Sequence, residues 1–192
     1  GTGYVGLVSG ACFSDLGNTV YCVDKDKTKI KLLNSGHIPI YEPGLEEIVK
    51  RNSSKKRLIF TDDLRTAIRN SKIIFICVGT PTKKNSNKAD LKYVFQVANQ
   101  LKKYIHNYKI IVTKSTVPVT TGDKIEKKLK KLKLKKLIDV VSNPEFLREG
   151  EAIRDFRYPD RIVIGSNDKN VFKIMKKLYL PSINKGTKFI TT

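Results

Sequence analysis

Cysteine is scarce in this 192-residue sequence, acidic residues are outnumbered by basic ones more than two to one, and no long apolar run occurs. The three cysteines, Cys12, Cys22 and Cys77, have neither the close-pair spacing of a metal site nor the density of a disulfide scaffold. Cys22 and Cys77 sit inside apolar, strand-like runs and read as small buried hydrophobes. No metal is therefore expected, and a reducing cytoplasm fits. Nothing approaches the roughly 18 consecutive apolar residues of a membrane-spanning helix, so no membrane partner is expected. The opening Gly1-Thr2-Gly3 has neither the charged start nor the apolar stretch of a secretory signal.

What is present describes a folded domain. A hydrophobic fraction of 40% with 8% aromatics suits a globular chain rather than a disordered one. The length suffices for one good core, and a single domain over residues 1–192 is expected. The net charge of +20 is mostly lysine. Its densest cluster, KIEKKLKKLKLKK at residues 124–136, interleaves Ile125, Leu129, Leu132 and Leu134. That spacing makes an amphipathic helix with lysine stems over its solvent face. A patch for nucleic acid or an acidic surface is the alternative; the solvated face is preferred and no nucleic-acid partner is expected. The charge also steers anionic small ligands towards the chain.

Two kinds of segment alternate. Short β-branched runs at 19–23, 58–60, 73–78, 109–113, 137–141 and 161–164 read as buried strands. Stretches of helical period lie at 4–16, 27–33, 45–51, 64–69, 91–104, 122–132, 146–155 and 169–178. Regular alternation with continuous apolar strands predicts an α/β fold: a doubly wound, mostly parallel, Rossmann-like sheet with helices on both faces. No strand precedes the first helix, although the first strand of such a sheet is central. The expectation is a piece of a longer protein that lacks its first strand.

Gly1-Thr2-Gly3-Tyr4-Val5-Gly6 fits G-x-G-x-x-G and opens directly into an apolar helix. In that pattern one glycine allows a tight turn, one lets backbone approach a pyrophosphate, and one lets the helix pack on the sheet. The phosphates then rest on free N–H groups at a helix N-terminus. Glycines also punctuate ordinary turns, so the context decides. After the helix comes the run Thr19-Val20-Tyr21-Cys22-Val23, closed by Asp24, 18 positions beyond Gly6 and near the roughly 20 expected of an acid that binds the adenosine ribose. A carboxylate there repels a 2′-phosphate, which favours NAD over NADP. A plain helix N-cap remains the alternative for Asp24.

Ligands of open α/β sheets sit beyond the carboxyl ends of the strands. Three strands here run into unusual polar sequence: Val78-Gly79-Thr80-Pro81-Thr82, Lys114-Ser115-Thr116-Val117-Pro118 and Asn143-Pro144-Glu145-Phe146-Leu147-Arg148-Glu149-Gly150. Ordinary turn chemistry accounts for the first two singly, but not for both falling beside one crevice. Glu145 and Glu149, four apart at the expected start of a helix, read either as dipole partners or as groups that move a proton and bond a ligand.

Together with Tyr41-Glu42-Pro43-Gly44-Leu45 and Pro159-Asp160-Arg161-Ile162-Val163-Ile164-Gly165, these blocks make the whole chain resemble the UDP-glucose/GDP-mannose dehydrogenase family. The resemblance implies a four-electron, NAD-dependent oxidation of a sugar C6 alcohol to a carboxylate. The blocks at 143–150 and 159–165 favour UDP-glucose, giving UDP-glucuronate for surface polysaccharide, over GDP-mannose or UDP-N-acetylmannosamine. It implies that Gly1, Thr2, Gly3, Tyr4, Val5 and Gly6 hold the pyrophosphate and that Asp24 and Lys29 hold the ribose. Val78, Gly79, Thr80, Pro81, Thr82, Ser115, Thr116 and Val117 would line the cofactor. Glu145 would act as acid/base in thioester hydrolysis, with Thr116 helping to place the water. Phe146, Leu147 and Arg148 would contact the UDP-sugar substrate largely through backbone, and Glu149 would approach the nicotinamide. The family's nucleophilic cysteine, its central helix and its nucleotide-sugar domain match nothing in this sequence. The chain alone is therefore expected to be inactive, and the longer enzyme to be a homo-oligomer. A non-catalytic basic nucleotide- or nucleic-acid-binding module is the reading from another class.

Overall fold

The computed structural model describes residues 1–84, 86, 88–118, 120–130 and 137–192. The chain alternates helix and strand. Its first half runs α1 (Tyr4–Asp15), β1 (Val20–Val23), α2 (Lys27–Asn34), α3 (Leu45–Ser54), β2 (Leu58–Thr61), α4 (Leu64–Asn70) and β3 (Ile73–Ile76). Then follow α5 (Lys92–Leu101), β4 (Lys109–Thr113), α6 (Thr121–Lys130), β5 (Ile138–Ser142), α7 (Ala152–Arg157), β6 (Arg161–Ile164), α8 (Lys169–Leu178), α9 (Leu180–Ile183) and β7 (Lys188–Thr191).

Every strand pairing is parallel: β1 with β2, β3 with β4, β4 with β5, and β6 with β7. An antiparallel bridge between Ser142 and Gly165 ties the end of β5 to the residue after β6. In the doubly wound order 3-2-1-4-5-6, β1 and β2 take the second and third places and β3 to β5 the fourth to sixth. Among the described residues no strand lies between β1 and β3, which are not paired with each other.

Side chains alternate across a strand, so a central strand must be apolar on both faces. Strand β4 illustrates this: Ile110 and Val112 enter the core built around α1, and Ile111 enters the one built around α5 and α6. Helix α1 is buried continuously from Gly6 to Ser14, which explains its lack of a polar face. Phe13 on this helix packs against Phe75 (5.1 Å), Phe156 (4.8 Å, edge-on) and Tyr179 (5.4 Å). Those rings join α1 to β3, α7 and the end of α8.

The expected helix over 146–155 is a correction. Residues 143–151 are irregular and α7 starts only at Ala152. Side-chain carboxylates take the N–H groups there: Glu145 that of Leu147, Asp155 that of Arg148, Glu42 that of Gly150. Gly150 itself is left-handed, at φ 85°. Two elements were not expected. Helix α9 is one turn long, with a proline in its first positions, and the edge strand β7 is largely exposed, so neither carries an apolar pattern. The helix expected over 122–132 appears as Thr121–Lys130; the rest of the basic cluster, 131–136, lies outside the described residues.

The closest approach of α1 to β1 occurs at Gly10, where a Cβ would lie 2.4 Å from Cys22 Sγ. Gly10→Ala should lower stability by about 1–3 kcal/mol through overpacking, read as a lower urea midpoint. Adding Cys22→Ala should recover part of the loss. A Gly10→Ala midpoint equal to the parent's would refute this packing account.

Candidate functional site

The glycine bend is built by close approach. A Cβ on Gly6 would sit 2.0 Å from the Gly1 carbonyl oxygen, and one on Gly1 would meet Val78 Cγ1 at 3.1 Å and Cys77 O at 3.2 Å. At Gly3 nothing lies within 4 Å. The bend is thus closed against the protein at Gly1 and Gly6 and open at Gly3, where a ligand's phosphates could touch backbone. The sequence reading gave Gly6 the helix–sheet contact. It faces the tip of β3, where an added Cβ would lie 3.2 Å from Cys77 Cβ, while Gly10 serves β1.

Helix α1 begins at this bend with no side-chain cap and no acidic residue in its first turn. Its first N–H groups, including those of Tyr4 and Val5, have no intrahelical partner, and the helix dipole adds partial positive charge. An anion of pyrophosphate size suits that end.

Asp24 stands at the end of β1 and faces the bend. Its Oδ2 accepts from Thr2 N (2.9 Å) and Thr2 Oγ1 (2.9 Å), and Lys29 Nζ lies 3.5 Å away. Its Oδ1 accepts from Asp26 N at 3.1 Å. Burial raises the Asp24 pKa, but the bonds from Thr2 and Asp26 and the charge of Lys29 outweigh it and bring the pKa down to about 2. Asp24 is not the cap of α2. That role belongs to Asp26, which accepts from Thr28 N and Lys29 N. Sequence reasoning passed over Asp26, although its place just before the helix is the usual signal.

The tips of β3, β4 and β5 converge beside this bend. The Thr80 hydroxyl donates to Thr116 O (2.9 Å), joining two loops. Ser115 is buried and turned inward, donating to Val78 O (2.7 Å) and lying 3.2 Å from Ile76 O. Its hydroxyl braces the β3 loop rather than facing outward. Gly79, Pro81, Thr82 and Thr116 are exposed, and Val78, Thr80 and Val117 are half-buried.

Asn143 carries the chain out of β5. Its Nδ2 donates to Val163 O (3.0 Å) and its Oδ1 accepts from the buried Tyr179 hydroxyl (2.6 Å). Beyond it, Glu145 Oε2 accepts from Leu147 N at 2.6 Å. Phe146 is half exposed, with the Arg161 guanidinium 4.9 Å from its ring. Arg148 grips Asp155 in a two-pronged pair, Nε–Oδ2 3.0 Å and Nη2–Oδ1 2.7 Å. The same carboxylate takes the Arg148 backbone N–H at 2.9 Å. Glu149 is exposed and lies within electrostatic reach of Tyr4. The reading of Glu145 and Glu149 as helix dipole partners falls, because the helix begins later.

Lys114, to which no role was assigned, is buried at the tip of β4 near Cys77 and Glu145. Burial pushes its pKa down. Burial likewise raises the thiols of Cys12 and Cys22 to about 12 and that of Cys77 upward, which suits none of them as a nucleophile. Among the described residues no group of three or more His, Cys, Asp or Glu could hold a metal ion, and no helix is long and apolar enough to cross a membrane.

Because its folded-state pKa lies below that of an unfolded aspartate (about 4), Asp24 stabilises the fold above about pH 4 by roughly 1–2 kcal/mol, and the gain is lost as pH falls towards 2. The stability gap between the parent and Asp24→Asn should therefore narrow over that interval, measured by urea unfolding at each pH. A gap that stays constant from pH 5 to pH 2 would remove the ionised carboxylate from this account.

Comparison with known proteins agrees with the geometry. Residues 1–183 match the NAD binding domain of the UDP-glucose/GDP-mannose dehydrogenase family. The chain is 50% identical over 183 residues to UDP-glucose 6-dehydrogenase of Rhizobium meliloti, covering 94% of this chain and 42% of that protein. It is 50% identical over 182 residues to UDP-glucose 6-dehydrogenase TuaD of Bacillus subtilis, covering 94% and 39%. Among solved structures, a UDP-glucose dehydrogenase from the archaeon Pyrobaculum islandicum superimposes with a TM-score of 0.93 at 35% identity, over 100% of this chain and 44% of that one. A GDP-mannose dehydrogenase from Pseudomonas aeruginosa gives 0.90 at 35%, over 100% and 45%. The chain spans about two fifths of the length of these relatives, and it belongs to the UDP-glucose/GDP-mannose dehydrogenase family.

Proposed function

We propose that this chain is the NAD-binding domain, residues 1–192, of an enzyme that oxidises UDP-glucose to UDP-glucuronate. The observation that carries the reading is the glycine bend, open at Gly3 and locked through Thr2 to Asp24, with the Glu145–Glu149 segment beside it. The residues fit the cofactor. The uncapped end of α1 takes the pyrophosphate, and Asp24 with Lys29 takes the adenosine ribose. The loops at Val78–Thr82 and Thr116–Val117 border the rest, with Ser115 holding them in place. When bound, NAD accepts hydride from the sugar C6, once for each of the two oxidation steps.

The chain's own groups do the remaining work on this side of the site. Glu145 Oε2 is held by the Leu147 amide, which leaves Oε1 to take the proton from a water that Thr116 helps to place. Phe146, Leu147 and Arg148 meet the nucleotide sugar largely through peptide groups, and the Arg148 side chain is engaged by Asp155. The nucleophilic thiol and the nucleotide-sugar domain belong to other parts of the enzyme, so this chain alone has no activity. The enzyme works as a homo-oligomer in a reducing cytoplasm, in keeping with three free cysteines.

A second substrate reading, GDP-mannose, is favoured by one observation: the solved GDP-mannose dehydrogenase is as identical to this chain, 35%, as the archaeal UDP-glucose enzyme. NADH release by the longer protein carrying this chain, offered UDP-glucose, GDP-mannose or UDP-N-acetylmannosamine, separates them. The reading expects UDP-glucose to dominate; no NADH from any of the three would end the dehydrogenase proposal. In the same protein, Glu145→Gln should give about two NADH per site, one from each hydride transfer that precedes thioester hydrolysis, and then slow about 10²–10⁴-fold, the usual worth of a general acid–base. Stopped-flow absorbance reads both phases, and undiminished steady-state turnover would take Glu145 out of the mechanism.

A further inference from the structure

Glu42 lies in the turn between α2 and α3 and is only 6% exposed. Burying a carboxylate is unfavourable unless charge or hydrogen bonds compensate. Among the described residues Glu42 has no ion pair; its partners are a phenol and two backbone amides. Oε2 accepts from the Tyr4 hydroxyl and from Gly150 N at 2.9 Å, while Oε1 accepts from Ile153 N at 3.2 Å. Gly150 N also lies 3.0 Å from the Tyr4 oxygen, and the Tyr4 hydroxyl is 3.4 Å from Arg148 O.

These bonds connect two regions that are distant in sequence. Tyr4 is the first residue of α1, next to the open position at Gly3. Gly150 and Ile153 directly follow the segment from Glu145 to Glu149. That segment is irregular and hangs on a few bonds of this kind, so its placement depends on where they hold it. Burial, and then the bond to Glu42, raise the Tyr4 pKa to about 12, and the phenol remains a donor throughout the neutral range.

We propose that Glu42 is a positioning residue that, through Tyr4, couples filling of the dinucleotide bend to placement of the segment that meets the nucleotide sugar. The proposal rests on the function given above. A backbone adjustment at Gly3 and Tyr4 on pyrophosphate binding moves the phenol. The phenol moves the carboxylate, and the carboxylate carries the amides of Gly150 and Ile153. Each ligand then binds better once the other is present, by the same factor in either order.

The test uses the longer protein carrying this chain. NADH and UDP-glucose are both reduced and cannot react together, so they form a dead-end pair. NADH is titrated by its own fluorescence without and with saturating UDP-glucose, and the ratio of the two Kd values is the coupling factor. The parent should give a factor of about 5 or more, the lower range of typical allosteric couplings. Tyr4→Phe removes one hydroxyl and leaves both amide bonds of Glu42 intact. It should bring the factor to within about twofold of 1 and keep the Tm close to the parent's. Glu42→Gln should reduce the factor as well, since its amide nitrogen cannot accept from the Ile153 or Gly150 N–H. Tyr4→Phe alone decides the matter if that second variant does not fold. A parent factor of 1, or a Tyr4→Phe protein that keeps the parent's factor whether or not its Tm falls, would overturn the coupling role. A parent that binds no NADH would instead overturn the functional reading itself.

Discussion

The Thr2–Asp24 contact fixes the geometry on which the candidate site depends. A carboxylate at the end of β1 takes both donors of a residue in the glycine bend. The start of α1 is thereby bound to a strand tip, and its orientation follows from the sheet rather than from the loop. The bond is strong because it is charge-assisted, and the carboxyl stays ionised because its donors outweigh its burial. Everything downstream inherits this placement. Helix α1 is buried from Gly6 to Ser14, so the body of the helix, beyond the turn at Gly3 and Tyr4, cannot shift without disturbing both neighbouring layers.

Around that anchor the sheet works as a set of tips. Strand β4 is apolar on both faces and has no role in chemistry along its length, but it delivers Lys114, Ser115 and Thr116 to its end. Strand β5 does the same for Asn143 and Glu145. The polar residues at these ends divide into two kinds. Ser115 and Asn143 turn inward and hold the loops, while Gly79, Thr116 and Glu149 remain outside. The inward group ties down the loops that carry the outward group.

The alternation of apolar strands with helical stretches was readable because interior strands such as β4 are buried on both faces and stand out as continuous apolar runs. Helix α8 and strands β4 and β6 occur at the residues their patterns give. Edge strand β7 was not readable, since an exposed strand has no such run. The helix placed at 146–155 failed for a different reason. Local periodicity cannot register that Glu42, more than a hundred positions earlier, takes the Gly150 and Ile153 amides. The same limit hid the Arg148–Asp155 pair and the inward turn of Ser115. The bend and the strand-end acid Asp24 could be found as a local pattern of glycine spacing and strand end, and the structure joins them through Thr2. Glu42 and Lys114 sat in plain view within the motifs, but only burial reveals that each is a charge held away from water.

The three glycines of the bend are retained for unlike reasons. Gly6 is dictated by the chain itself, since any side chain would strike the Gly1 carbonyl. Gly3 has φ −72° and ψ −170°, which any residue can adopt, and nothing near enough to obstruct a methyl group. Neither backbone conformation nor internal packing selects a glycine at position 3. In a copy of this gene kept only for its fold, drift would be free to replace Gly3 while Gly6 stayed. Among the described residues, Gly3 is the one glycine of the bend at which no neighbouring atom lies within 4 Å of an added Cβ.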